Sequence, residues 1–254
     1  MKDTLFANPA APPEDFQFSP KVAEVFDDML ARSVPFYQEI IAMAASLLST
    51  FVGRHEVVYD LGCSTGATMI ELARRLPGRD LRFVGVDSSA AMVGKARLKA
   101  EIYSKTEQLR FVEADILTVP LQDPAAIILN YTLQFLRPLQ RPEFLRRLYA
   151  ALKPGGILLV CEKTISHTPI FNRVFIDCYL DFKRQHGYSE IEIAKKREAL
   201  ENVLVPFSAA ENRDLFQQAG FADVEQFFQW FNFSGFVARK GKEDDAILPK
   251  DCSR

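Results

Sequence analysis

This chain lacks the residue patterns that build metal centres and disulfide frameworks. Its four cysteines, Cys63, Cys161, Cys178 and Cys252, are scattered without a CxxC pair, and its three histidines do not cluster with them. That spacing speaks against a structural metal and for a reduced, cytoplasmic protein. Long apolar runs are missing too. No stretch reaches the roughly 18 uninterrupted apolar residues of a membrane helix. The opening MKDTLFANPAAPPEDF has no apolar core of signal-peptide length, so neither membrane nor export is expected. There is no large charge of one sign: the formal net charge is −2, which gives no field for direct nucleic-acid binding. Internal repeats are absent. What is present is a 48% hydrophobic composition, enough for one sizeable α/β domain with additions.

The most informative stretch is VVYDLGCSTGA, Val57 to Ala67. An apolar run ends in Asp60 and breaks into a turn carrying Gly62, Ser64 and Gly66. A helical segment follows, and then a second apolar run, LRFVGVD, ends in Asp87. This is the strand–turn–helix–strand–acid order of a nucleotide-binding βαβ unit. The glycines allow a tight turn and close backbone approach to a ligand, and Asp87 offers acceptors for two vicinal ribose hydroxyls. Asp60 argues against a dinucleotide, because a pyrophosphate needs bare N–H groups. A carboxylate there suits the cationic amino-acid end of S-adenosylmethionine (SAM). Cys63 lies in the same turn and reads as a small side chain that fits it.

Along the rest of the chain, Ser19-Pro20 starts a helix by capping and by proline at its first position. Ser33 and Pro35 are expected to restart a second one, the pair forming an N-terminal lid. Strands are expected at Val57–Leu61, Arg82–Asp87, Arg110–Ala114, Ala126–Asn130 and Gly156–Glu162, with helices around Thr68–Leu76, Ala90–Tyr103 and Arg141–Leu152. Continuous apolar runs such as AAIILN and GILLV suit a parallel sheet covered on both faces. A charged helical stretch, His167 to about Val205, precedes a last helix, Ala209–Ala219, and two aromatic-rich runs that form a closing antiparallel hairpin. The expected class is therefore α/β: a Rossmann-like, mostly parallel sheet with a C-terminal hairpin and an N-terminal helical lid. The chain reads as a single domain, 1–254. Its parts are a helical extension (1–52), a core of βαβ units (53–165), a helical insert (166–206), a last helix and hairpin (207–240) and a loose tail (241–254).

The order of elements resembles the class I SAM-dependent methyltransferase fold, with Ser64 in place of the usual middle glycine of the turn. A narrower resemblance rests on RSVPFY (32–37), YDLGCSTGA, LNYTLQFL (129–136), PGG followed by CEK (161–163), DFKRQHGYSEIEI (181–193), KKREALENV (195–203) and FQWFNF (228–233). These segments, spread from Asp3 to about Lys240, are similar to the carboxy-S-adenosyl-L-methionine (carboxy-SAM) synthase family. The resemblance implies a homodimeric, cytoplasmic transferase that makes carboxy-SAM and phenylpyruvate from SAM and prephenate. It implies that the product passes to a tRNA carboxymethyltransferase, for 5-carboxymethoxyuridine at the wobble position. It places ligand contacts at Tyr37, at Gly62, Cys63 and Ser64, at Asp87 and Ser88 by the ribose, at Asp115 and Ile116 by the adenine, and at Asn130. Arg197 meets the extra carboxylate and is the one residue assigned to catalysis.

Read without the resemblance, several of these positions have plainer explanations. Asp115 is a helix N-cap, Tyr37 a core aromatic, and Trp230 part of the hairpin core. Arg197, Lys183, Arg184 and His186 are solvated charges. Arg32, Lys183 and Arg184 are the candidate cations for prephenate. Two other functions remain open at this stage: an ordinary methyltransferase acting on a small acidic metabolite, and a SAM-binding protein without catalysis.

Overall fold

The computed structural model describes residues 2–8 and 15–242. The expected loose tail falls almost wholly on residues 243–254, outside the described residues, as does Cys252. In chain order the elements are α1 (Pro20–Ser33), α2 (Tyr37–Phe51), β1 (Val57–Leu61), α3 (Ala67–Arg75), β2 (Arg82–Asp87), α4 (Ala90–Ile102), β3 (Leu109–Glu113) and β4 (Pro124–Asn130). They continue with α5 (Arg141–Ala151), β5 (Ile157–Ile165), α6 (Pro169–Gln185), α7 (Glu190–Glu201), β6 (Phe207–Ser208), α8 (Ala209–Gln218), β7 (Asp223–Trp230) and β8 (Phe233–Arg239).

The sheet runs β3-β2-β1-β4-β5-β8-β7, with short β6 paired to the end of β5. Strands β1 to β5 are parallel, and the β7–β8 hairpin joins β5 antiparallel. Alternation within the strands explains the two cores. Val58, Phe83, Ile128 and Leu159 face α2, α3 and α4. Tyr59, Leu61, Ile127, Leu129, Leu158 and Val160 face α5 and α8. Because both faces are covered, the strands read as unbroken apolar runs. The strand order reverses between β1 and β4, which opens a crevice at their carboxyl ends, where open α/β sheets take ligands.

Three details depart from expectation. Helix α2 begins at Tyr37 after Phe36 in the left-handed region (φ 55°), without a side-chain cap, rather than at Ser33 or Pro35. Ser33 is the last residue of α1, and its hydroxyl accepts from Lys196 Nζ at 2.9 Å, so it is not available as a cap. Pro35 disfavours helix at Val34, which is extended. Strand β5 runs three residues past Glu162, because Thr164 and Ile165 find a partner in β6. The helical stretch 167–205 is two helices, broken at Gly187 (φ 81°), with α7 begun by a Ser189/Glu192 capping box. No helix among the described residues is long and apolar enough to cross a membrane.

Candidate functional site

The site is built on the carboxyl ends of β1, β2 and β4. Past β1 the chain turns through Gly62 (φ 83°), Ser64 (φ 48°) and Gly66 (φ 73°) into α3. A Cβ on Gly62 would overlap the Thr132 side chain, and one on Gly66 would come within 2.7 Å of the Phe111 ring. Glycine is therefore demanded twice over, by backbone conformation and by space. The turn is tied to β2: the Gly62 and Cys63 N–H groups donate to the Val86 carbonyl (2.7 and 3.1 Å). Ser64 N–H donates to Asp87 Oδ2 and Ser89 N–H to its Oδ1, both at 2.9 Å. Asp87 is thus oriented by backbone, with a further lone pair left on each oxygen. Burial raises its pKa against those two hydrogen bonds.

Above the turn lies a cavity of about 600 Å³, a volume usual for small-molecule sites. Its lining includes Tyr37, Gly62, Cys63, Ser64, Asp87, Ser88, Asp115, Ile116, Asn130 and Arg197, so all ten residues singled out in the sequence meet on one space. Asp60 also lines it, 1% exposed, with Oδ1 lacking any hydrogen-bond partner. Burial, and then Asp87, push its carboxyl up to about 7. Tyr37 is half-buried and packs against the core while lining the cavity; its hydroxyl meets Thr68 Oγ1 at 2.9 Å, which accepts from Asn130 Nδ2 at 3.0 Å. That leaves buried Asn130 Oδ1 unpartnered. Asp115 does close a turn, accepting from Leu117 N–H at 2.8 Å, yet it is exposed and lines the cavity. Cys63 is buried, and burial, Asp60 and Asp87 raise its thiol well above the usual range, which fits the small-filler reading.

The two buried, unpartnered oxygens, on Asp60 and Asn130, and the glycine turn fit a cationic nucleoside-bearing ligand such as SAM. A family model described as a methyltransferase domain matches residues 58–156. The chain is 57% identical to the carboxy-S-adenosyl-L-methionine synthase of Desulfotalea psychrophila, over 94% of this chain and 97% of that one.

The chain belongs to the carboxy-SAM synthase family. The Wolinella succinogenes member is 44% identical over 95% of this chain and all of its own length. Solved structures agree on the fold, which is the class I SAM methyltransferase fold. Human N-acetylserotonin methyltransferase in complex with SAM superposes with a TM-score of 0.62 at 20% identity, over 88% of this chain, which spans 56% of that enzyme. The YcgJ protein of Bacillus subtilis superposes with a TM-score of 0.60 at 14% identity, over 81% of this chain and all of its own.

Against that family frame, the cations sort differently from the sequence-based expectation. Arg32 is engaged by backbone, donating to the carbonyls of His186 (2.8 Å) and Gly187 (2.7 Å), and Arg184 is paired with Glu190 and Asp181 on the surface. Neither lines the cavity. Lys183 does: it is 5% exposed, not a solvated charge. Lys163 and Lys196 also line the cavity and were missed as site residues. Lys163 ends the apolar run GILLVCEK, and a charge at a strand's carboxyl end is the same signal that marked Asp60 and Asp87. Lys196, inside a charged helix, carries no such signal. Arg197 is exposed and makes no side-chain hydrogen bond or ion pair among the described residues. Trp230 packs among Phe36, Phe182, Phe231 and Phe233, as a hairpin-core residue does.

Proposed function

We propose that this chain converts SAM and prephenate to carboxy-SAM and phenylpyruvate. The observation that carries the reading is one cavity with acids at one set of strand ends and unpaired cations on the helical segment after β5, the cation set including Arg197. SAM is a substrate here; its sulfonium acidifies the attached methyl group, which exchanges a proton for carbon dioxide. Prephenate supplies that carbon dioxide as its ring aromatises, and the hydroxide it expels takes the proton as water. The chain's share is placement, charge and exclusion of water. Asp87 and Ser88 hold the ribose, Asp115 and Ile116 flank the adenine, Asp60 and Asn130 face the amino-acid end, and Tyr37 covers it from the lid. Arg197 takes the new carboxylate bidentately, as a planar guanidinium does better than an ammonium. The ordinary-methyltransferase and binding-protein readings lack a use for that cation set. The deciding experiment is mass spectrometry of the co-purifying ligand, together with phenylpyruvate release from prephenate. SAM or its demethylated product in the site, and no release, removes the synthase reading.

In the same reading the product passes to a tRNA carboxymethyltransferase, and the protein works in the cytoplasm. It does so without touching nucleic acid or membrane itself, as the net charge of −2 supports. The homodimer is proposed to form through the helical insert. Ile170, Phe171 and Val174 of α6 are 74%, 57% and 46% exposed. Phe171 continues through Phe175 to the exposed Phe231 (ring centroids 6.2 and 5.4 Å apart). Phe171→Glu should convert a dimer to a monomer by light scattering; an unchanged mass places the interface elsewhere.

Asp60 makes SAM binding pH-dependent. Its carboxyl sits at about 7 against an ordinary 3.8, and the cationic ligand needs it ionised. Affinity should rise about tenfold per pH unit towards pH 7 and then flatten. The free protein should lose stability over the same window, because its folded state holds the proton that the unfolded state has already released. Asp60→Asn should abolish the rise in affinity; a variant that keeps it assigns the titration to another group.

A further inference from the structure

Lys163 and Lys183 stand apart from every other buried or half-buried cation of the cavity. Lys196 is accounted for: its ammonium donates to Ser33 Oγ at 2.9 Å and faces Asp3 Oδ2 at 3.7 Å. Lys163, half-buried near the end of β5, and Lys183, 5% exposed on α6, have no acid and no side-chain hydrogen-bond acceptor for their ammonium groups among the described residues. Among the described residues, what faces both ammonium groups is the ring of Tyr179, whose centroid lies 4.9 Å from Lys163 Nζ and 4.6 Å from Lys183 Nζ. Tyr179 itself is anchored, its hydroxyl donating to the Ser33 carbonyl at 3.0 Å. Each lysine feels Arg197, and Lys183 feels Lys163 as well.

Burying like charges side by side is costly, and a fold does not keep such an arrangement for its own stability. The cost is recovered when anions enter. SAM brings one carboxylate, whereas three unpaired cations face the cavity, so the surplus belongs to a second, polyanionic molecule. We propose that Lys163 and Lys183 form the subsite for the carboxylates of the second substrate, a small dicarboxylic acid, and so determine its selection. This rests on the synthase reading, in which that acid is prephenate. Arg197, exposed at the same wall, is then left for the carboxylate that the reaction creates. Burial, and then the neighbouring cations, bring Lys183 down to about 7 and Lys163 to about 8, as expected of a subsite strained until it is filled.

The test uses the full chain with Lys183→Met and Lys163→Met, and Lys183→Gln as a polar stand-in should the methionine variant misfold. Three quantities are read: KM for prephenate at saturating SAM, Kd for SAM by calorimetry, and Tm of the free protein. Each variant should raise KM at least tenfold, leave Kd for SAM within twofold, and hold or raise Tm, since an unpaired buried ammonium gives way to an apolar chain of like size. A parallel loss of SAM affinity would reassign the lysine to the methionine carboxylate and overturn the subsite. A fall in Tm with all constants worsened would make it structural, with the same consequence. An unchanged KM overturns it as well. If the wild-type protein releases no phenylpyruvate, prephenate binding is measured on protein loaded with S-adenosylhomocysteine. Binding that is lost in Lys183→Met retains the subsite while the synthase reading falls; no binding by the wild type removes both.

Discussion

Arg197→Ala should weaken carboxy-SAM by about tenfold to a hundredfold and leave SAM binding as it is or slightly tighter. The magnitude is that of a lost charge-assisted pair, roughly 1.5–3 kcal/mol. The selectivity follows from what Arg197 does in the free protein. It is exposed on α7, lines the cavity, and bonds to nothing among the described residues, so truncating it leaves no buried partner stranded. A guanidinium facing a sulfonium repels a bare methyl and attracts a carboxymethyl group. Arg197→Lys should restore part of the loss, since one ammonium cannot reproduce the two parallel N–H donors. The check is a pair of titrations, each ligand against each variant. Equal weakening of both ligands, or of neither, means that Arg197 is not the carboxylate clamp.

Arg141→Ala should cost the fold about 3–5 kcal/mol, the scale of breaking a buried charged network. Arg141 is fully buried although it belongs to no ligand site. Its Nε donates to the Leu136 carbonyl (3.0 Å), and its Nη2 to the carbonyls of Leu136 (2.9 Å), Val205 (2.6 Å) and Gln134 (3.3 Å). The guanidinium also lies 4.2 Å from the Phe207 ring centroid. From the other side, buried Glu162 accepts from the backbone of Leu133 and Gln134; burial raises its pKa well above normal, and Arg141 opposes that shift. Together they hold the 133–136 segment, whose Gln134, Phe135 and Leu136 line the cavity. Removing Arg141 takes the side-chain donor from the Leu136 and Val205 carbonyls and the cation that opposes the raised pKa of Glu162. At this chain length the loss should lower Tm by roughly 10 °C in a melting experiment. A shift of only a degree or two would mean that water or a neighbouring side chain takes over the donors.

Arg141 and Glu162 also show where reading residues in order stops. Arg141 opens a helix in the sequence RPEFLRRLYAA and looks like any N-terminal turn charge, while Glu162 lies in β5 at the end of an apolar run. Their coupling needs β5 and α5 to be brought together, and no local pattern records that. The same holds for Lys183 in DFKRQHG. Apolar periodicity reports which face of a helix is buried because apolar residues have one preferred environment. A lysine has two, water or an anion-bearing cavity, and the spacing is identical in both.

The sequence alone determined the element types and the chemistry of the turn, for reasons that act over a few residues. Gly62 and Gly66 adopt positive φ that other residues resist. Ser189 and Ser208 complete capping boxes with a glutamate three residues on. Short apolar runs bounded by turn residues, such as AAIILN and GILLV, suit strands covered on both faces. Asp60 and Asp87 were marked because each ends such a run. What the tertiary structure alone decided is which of these ends share a space. The pairing of β4 with β1 sets Asn130 two residues beyond Ile128, the register partner of Asp60, so that both line the cavity at the carboxyl ends of these strands. The return of α6 and α7 over β5 brings Lys163, Lys183, Lys196 and Arg197 to one wall. Ser33, a cap by its local context, was claimed instead by Lys196, 163 positions away, because a buried ammonium needs an acceptor more than an exposed helix end needs a cap.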